Sequence, residues 1–410
     1  MVKGGAKNVL VANKSNGEKL SLGERWEKSD LIGIRSTEKF HCPECGEEVV
    51  MKLGSKKIWH FSHLAGGSCQ YEYDRESEYH LSGKLQLFNW LKKQGINAEL
   101  EQFDQQMKQK PDIAFKLQNQ KYAIEFQCSV IPEEIFEKRT RTYLHYGVIP
   151  IWVAAETLVR RKKNNVVSIN NFLYLFTRQT RHSWNIPAFC PISGQFINLN
   201  GAIPITSKKT ITNLIVNSLN HYSIEELLSP IDKPFPILKT WQAENQKLKS
   251  RYLTSPGAWQ NPFLKELYRN HLSLLTLPAE IGLPIRSSPY IETPSLIWQT
   301  FLYLDVFRHY QKGDIIIYAN IREAFNRRLS RKEIKLRTLP VAGQRDHWYA
   351  LAEYVLLLTK VSFLERIDSG TVRVLREIIV PGSINEQINA EANLFTKYRN
   401  EITQSIFPLT

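Results

Sequence analysis

Apolar and polar positions change period several times along the chain, and each change marks an element. Residues 8–13 and 31–35 alternate or are rich in aliphatics and read as strands, with Asn16-Gly17 as a hairpin turn. Residues 49–53 form a further short strand before a Gly54-Ser55 turn. From Glu76 the period becomes helical. Leu81, Leu85, Phe88 and Leu91 recur at spacings of three and four, and Gly95 is a natural stop, which predicts an amphipathic helix over 76–94. Strands are expected at 98–103, 111–117 and 122–129. Pro132 then opens a second helix that ends near Gly147, and 148–154 reads as a buried strand. Helix, three strands, helix, strand is one compact α/β layer pair.

The later chain is less regular. Residues 191–294 are rich in Pro, Ser and Asn, with short helical stretches at 241–249 and 262–274. From Ser295 the pattern sharpens into helices at 296–310, 321–329 and 347–359. Strands at 361–367 and 372–379 follow about an Asp368-Ser369-Gly370 turn. Three helices and a hairpin are the outline of a winged helix. No apolar run approaches the ~18 residues of a membrane span. The basic start is not followed by the apolar stretch of a secretory signal, so a cytoplasmic protein is expected.

Charge adds a direction. The 54 Lys and Arg exceed the 40 Asp and Glu, a net +14. Residues 1–155 hold 22 basic and 20 acidic side chains, so the surplus belongs to the remainder, with 32 and 20. Arg327, Arg328, Arg331, Lys332, Lys335 and Arg337 form one basic run there. Such a surplus favours a polyanion, nucleic acid first among them. Hydrophobic residues at 42% give each domain enough apolar mass for a core and exclude wholesale disorder.

Five cysteines are too few for a disulfide framework, and three of them fall between Cys42 and Cys69. Cys42-Pro43-Glu44-Cys45-Gly46 is a knuckle that aims two sulfurs at one centre, and His60 and His63 supply a second pair of ligands. Zinc takes four such ligands in a tetrahedron, and a segment this short lacks the apolar mass to hold itself without one. Five candidates compete for four places: Cys42 and Cys45 first, then His63 and Cys69, with His60 as the competing ligand. A structural zinc is expected.

A second constellation is acidic. Glu125 and Gln127 share one face of their strand by alternation, opposite Ile124, Phe126 and Cys128. A two-residue turn at Gln118-Asn119 sets Asp112 opposite Glu125, and one at Asn119-Gln120 sets it opposite Gln127; a three-residue loop separates them. Two carboxylates held close together repel unless a cation neutralises them, which points to a Mg²⁺ or Mn²⁺ site. On the first helix Glu76, His80 and Lys84 lie at i, i+4 and i+8, one stripe facing the acids. Arg139 and Tyr143 are i, i+4 on the second helix and face the same region.

Taken together, Cys-Pro-x-Cys, His-Phe-x-His, Glu76-Ser77-x-x-His80 with Lys84, Pro111-Asp112-Ile113, Ile124-Glu125-Phe126-Gln127-Cys128-Ser129 and Ile149-Pro150-Ile151-Trp152-Val153 resemble the competence protein CoiA family in order and spacing. The resemblance covers roughly residues 1–155. It implies a restriction-endonuclease-like, PD-(D/E)xK nuclease core in an α+β or α/β protein, preceded by a small β-rich zinc module; the residue pattern beyond it, about which the resemblance says nothing, reads as a mainly α C-terminal region. The boundaries expected are 1–72 for the zinc-finger-like module, 73–156 for the nuclease-like domain, 157–294 for a linker and helical region, and 295–410 for a C-terminal helical, DNA-binding region with a winged-helix outline. The resemblance also implies a role in natural transformation, on single-stranded or branched DNA, beside recombination or competence proteins. Asp112 and Glu125 would ligate Mg²⁺ or Mn²⁺ with Glu76, and Gln127 stands where many such nucleases carry lysine. Lys84 would then supply the missing charge, or His80 act as base, while Arg139 and Tyr143 contact phosphate and a base or sugar. The alternative is a non-catalytic DNA-binding adaptor.

Overall fold

A computed structural model describes residues 8–64, 77–162, 165–180, 183–231, 233–343 and 346–408. The chain forms two compact units, the first of residues 1–159, 186–198 and 215–231, the second of 160–185, 199–214 and 232–410.

The first unit opens with β1 (Asn8–Val9), β2 (Val11–Lys14), β3 (Lys19–Ser21), β4 (Phe40–His41), β5 (Glu48–Lys52) and β6 (His60–His63) in one sheet of order β1-β6-β5-β4-β2-β3. Its inner face carries Val9, Leu20, Phe40, Met51 and Phe61. The expected strand at 31–35 is instead part of helix α1 (Lys28–Thr37). Leu31 and Ile34 pack on this core at a spacing of three while Ile32 is exposed, and that helical spacing outweighs the aliphatic content.

Helix α2 (Glu78–Lys93) is capped by the Ser77 hydroxyl, which accepts from the His80 N–H at 3.2 Å, and Gly95, with φ +74°, ends it. Leu81, Leu87, Phe88 and Leu91 bury its apolar stripe against a sheet built from β7 (Ala98–Leu100), β8 (Ile113–Leu117), β9 (Gln120–Gln127) and, after helix α3 (Glu133–His145), β10 (Val148–Ala155). Gly83 makes the close approach possible, because a Cβ there would lie 2.0 Å from the Phe126 ring. Strands β7, β8 and β9 are antiparallel, and α3 carries the chain over to β10, which runs parallel to β9. Phe136 of α3 stacks on Trp152 at 3.9 Å, fixing the helix on the opposite side of the sheet from α2.

Strands Trp184–Cys190, Gln195–Thr206 and Lys209–Ser218 divide their residues between the two units. They lie where the sequence pattern suggests linker and helices. The reason is burial on both faces: Gln195–Thr206 is almost wholly buried, and its asparagines are hydrogen-bonded inside, Asn198 to the Tyr222 hydroxyl at 3.0 Å and Asn200 to the Ser183 hydroxyl at 3.2 Å.

The second unit is largely helical, with a core that includes Trp241, Trp298, Phe325, Tyr354 and Leu358. Helices Ser295–Asp305, Tyr318–Ser330 and His347–Lys360 appear as expected, with Ile315–Ile317, Thr371–Val374 and Leu364–Arg366 in a three-stranded sheet in that spatial order. Two members of the expected basic run are internal. Arg328 is gripped by Asp305, Glu266 and Glu333 at 2.6 to 3.0 Å, and Arg337 donates to the Pro289 and Ile291 carbonyls. Among the described residues no helix is long and apolar enough to cross a membrane.

Candidate functional site

The Cys42-to-Cys45 turn, closed by Gly46 at φ +73° and its N–H on the Cys42 carbonyl at 2.9 Å, brings both sulfurs beside His63 of β6. Ligand atoms of Cys42, Cys45 and His63 all lie within 4.8 Å of one another, a set that could hold a metal ion, and Cys45 Sγ is 3.4 Å from His63 Nε2. His60 does not join this group. It lies an odd number of residues from His63 on the same strand, so it faces the other way, and its Nδ1 is 2.8 Å from the Ile58 carbonyl. Cys69 lies outside the described residues.

The β8–β9 turn settles the acidic register. Gln118 and Asn119 both have positive φ, +45° and +67°, as a two-residue hairpin turn requires. Leu117 pairs with Gln120 and Ile113 with Ile124, so the first of the two registers holds and Asp112 follows opposite Glu125. Asp112 sits just before β8, and its carboxylate is drawn toward α2. It accepts from the Phe126 N–H at 2.8 Å and lies 3.3 Å from His80 Nε2 and 3.7 Å from Lys84 Nζ. Burial alone would push its pKa up, but the charges of His80 and Lys84, with these hydrogen bonds, hold it well below the usual carboxylate range. His80 and Lys84 therefore reach Asp112, one of the two acids their helical stripe is expected to face. Glu76, the third member, lies outside the described residues.

Glu125 faces α3. Its carboxylate takes a hydrogen bond from Arg139 at 2.6 Å and another from the Tyr143 hydroxyl. Arg139 and Tyr143, expected on nucleic acid, are thus both placed on Glu125, and the Tyr143 ring is fully buried. Burial, then the Glu125 charge, raises the Tyr143 pKa well above its usual value despite the pull of Arg139, so this phenol stays a donor. Gln127 is buried on the same face, its amide donating to the Ser129 carbonyl at 2.9 Å.

One central residue escapes sequence reasoning. Glu101 is buried, pairs with Lys84, and accepts from the Leu10 N–H at 2.8 Å and the Val11 N–H at 3.3 Å. Its φ of +46° breaks the strand alternation after Leu100, turning inward a side chain that would otherwise share the exposed face of Glu99. Burial works against its charge, but Lys84, then Lys110, keeps its pKa below the ordinary value. Glu44, between the two cysteines, lies 3.5 Å from Lys110. The metal-ligand module and the acidic site are therefore joined inside one unit by the Glu44–Lys110 ion pair and by the hydrogen bonds from the Leu10 and Val11 N–H groups to Glu101.

Asp112 and Glu125 offer hard oxygen donors of the kind Mg²⁺ or Mn²⁺ takes. Protein cations neutralise both here, and among the described residues only Cys42, Cys45 and His63 gather three ligand groups at metal-binding range.

Comparison with known proteins matches three consecutive parts of the chain. Residues 23–72 match the family model described as competence protein CoiA, N-terminal domain, residues 76–232 the nuclease-like domain, and residues 237–388 the C-terminal domain. A competence protein CoiA of Bacillus subtilis (strain 168) is 26% identical over 340 residues, covering 82% of this chain and 90% of that protein. No solved structure matches. With three consecutive domain models in order and a relative aligned along most of both lengths, the chain belongs to the competence protein CoiA family.

Proposed function

We propose that this protein processes incoming or recombining DNA during natural transformation by metal-dependent phosphodiester hydrolysis in its nuclease-like unit, with a structural zinc on Cys42, Cys45 and His63. The observation that carries this reading is two carboxylates on neighbouring strands of one sheet, Asp112 held by His80 and Lys84 on the α2 side and the buried Glu125 held by Arg139 and Tyr143 on the α3 side. Such a cluster is costly to bury and needs a reason beyond stability.

Asp112 and Glu125, with Glu76, would hold Mg²⁺ or Mn²⁺, which supplies an activated water and charge stabilisation at the phosphoryl oxygens when bound. The chain's own residues do the rest. Asp112 stays ionised because of its neighbours, Arg139 and Tyr143 orient Glu125, and Lys84 provides the positive charge that Gln127 lacks. His80, 3.3 Å from Asp112, is placed to accept or return a proton. Cys69 is the proposed fourth zinc ligand, since His60 faces away.

Helix, strand, helix, helix, hairpin over residues 295–374, with the first strand beside the last, follows the order of a winged helix, and we assign DNA holding to it. Exposed Arg327, Arg331, Lys332 and Lys335 are the cations it offers.

A second reading, a non-catalytic DNA-binding adaptor for recombination proteins, is favoured by one observation: Gln127 turns to Ser129 and carries no charge. The test is incubation of purified protein with labelled single-stranded, double-stranded and branched DNA in Mg²⁺ or Mn²⁺. Cleavage that a chelator abolishes supports hydrolysis. Binding without any cleavage on all three substrates supports the adaptor.

A further inference from the structure

Beside Glu125 the same face of the sheet opens into a cavity of about 390 Å³, within the size range of small-ligand sites. Its floor is the cross-strand pair Ala114 and Ala123, whose short side chains leave room where larger ones would fill the space beneath α3. One wall is the end of α3, with Tyr143 and the half-exposed Tyr146. The other is the turn that carries Phe103 and Met107. That turn is closed, because the Asp104 carboxylate accepts from the Gln106 and Met107 N–H groups at 2.9 Å and the Asp104 N–H donates to the Gln109 carbonyl.

The mouth carries a second, independent feature. Lys116 and Lys121 stand directly opposite each other across β8 and β9, and both are exposed. Like charges at that position destabilise a sheet unless an anion lies between them. Along β9 the order on this face is Glu125, Ala123, Lys121: acid, hollow, cation. At ~3.4 Å per residue the acid and the cation are about 14 Å apart along the strand.

We infer that this hollow binds one unpaired nucleobase of a DNA strand, stacked on Tyr146, with the adjoining phosphate held by Lys116 and Lys121. The inference rests on the DNA-acting reading above and adds to it a base-binding subsite next to Glu125. A duplex keeps its bases stacked away from such a wall, so the subsite selects single-stranded segments. Glu99, across from Ala114, presents an acceptor suited to an exocyclic amino group.

The test compares the full-length protein's affinity for a labelled single-stranded deoxycytidine oligonucleotide with that for an abasic oligonucleotide of the same phosphate count. Fluorescence anisotropy is followed over a salt series. The wild type should prefer the base-bearing strand by at least about fivefold, the lower bound for one aromatic stack. Tyr146→Ala, and independently Ala114→Leu, which fills the hollow, should bring that ratio close to one. Lys116→Gln with Lys121→Gln should keep the ratio and lower the slope of log affinity against log salt by about one. If both hollow variants bind DNA with the wild-type ratio, the base subsite is wrong while the DNA-acting reading stands. If the wild type binds neither strand, both readings fall together.

Discussion

Lys84 offers the sharpest perturbation in the first unit. It is fully buried, paired with Glu101 and 3.7 Å from Asp112, and it lies between two carboxylates that also hold backbone N–H groups of β1–β2 and β9. Lys84→Met removes the cation and leaves Glu101 buried without its main partner. Breaking a buried pair in this way costs about 3–5 kcal/mol, which for a unit of this size lowers Tm by roughly 6–20 °C. The pH dependence carries a definite sign. Glu101 and Asp112 have folded-state pKa values below their unfolded ones, so they contribute stability above the ordinary carboxylate range that is lost as pH falls through it. In Lys84→Met that contribution is largely absent, so the gap between wild type and variant should be widest near neutral pH and narrow as pH drops below about 4. Thermal unfolding by near-UV circular dichroism between pH 3.5 and 7.5 reads both effects. Adding Glu101→Gln to Lys84→Met should recover more than half of the loss, because no uncompensated charge remains. A loss below about 1 kcal/mol at pH 7, or a gap that does not change with pH, would refute the claim that this pair organises the unit.

Three further outcomes follow from the same geometry. The purified protein should carry about one zinc per chain by elemental analysis; Cys42→Ser, Cys45→Ser and His63→Ala should lose it and melt earlier, whereas His60→Ala should retain it. Gly83→Ala should destabilise by about 1–3 kcal/mol in a denaturant titration, because the new methyl group meets the buried Phe126 ring. In the second unit Arg328→Met should cost about 3–5 kcal/mol through the three acids it leaves, while the neighbouring Arg327→Ala should stay within ~0.5 kcal/mol, a contrast that differential scanning calorimetry resolves.

Much of the site is legible in the sequence because local rules determine it. The Gln118-Asn119 turn fixes the β8–β9 register, alternation puts Glu125 and Gln127 on one face, and the helical period aims His80 and Lys84 at Asp112. What escapes is set by tertiary context. Glu101 turns inward on a left-handed residue that no pattern announces. The choice between His60 and His63 depends on both lying in one strand, a fact the short, polar segment conceals. Residues 195–206 read as irregular since Asn198 and Asn200 look solvated, yet both are buried and hydrogen-bonded. Arg328 and Arg337 swell an apparent basic patch although their charges are used internally. The surplus of charge still lies after residue 155, apart from the acidic site. It bears on how a DNA strand is held and leaves the question of cleavage to the carboxylates.

The most direct test of the central claim is single-turnover cleavage of labelled single-stranded DNA in Mn²⁺ or Mg²⁺ by the wild type beside Asp112→Asn and Glu125→Gln, with binding measured in parallel. The substitutions keep size and hydrogen-bonding capacity while removing charge. The account predicts cleavage by the wild type, a loss of at least about 100-fold in both variants, and little change in DNA affinity. Equal cleavage by all three proteins, or firm binding with no cleavage by any, would contradict it.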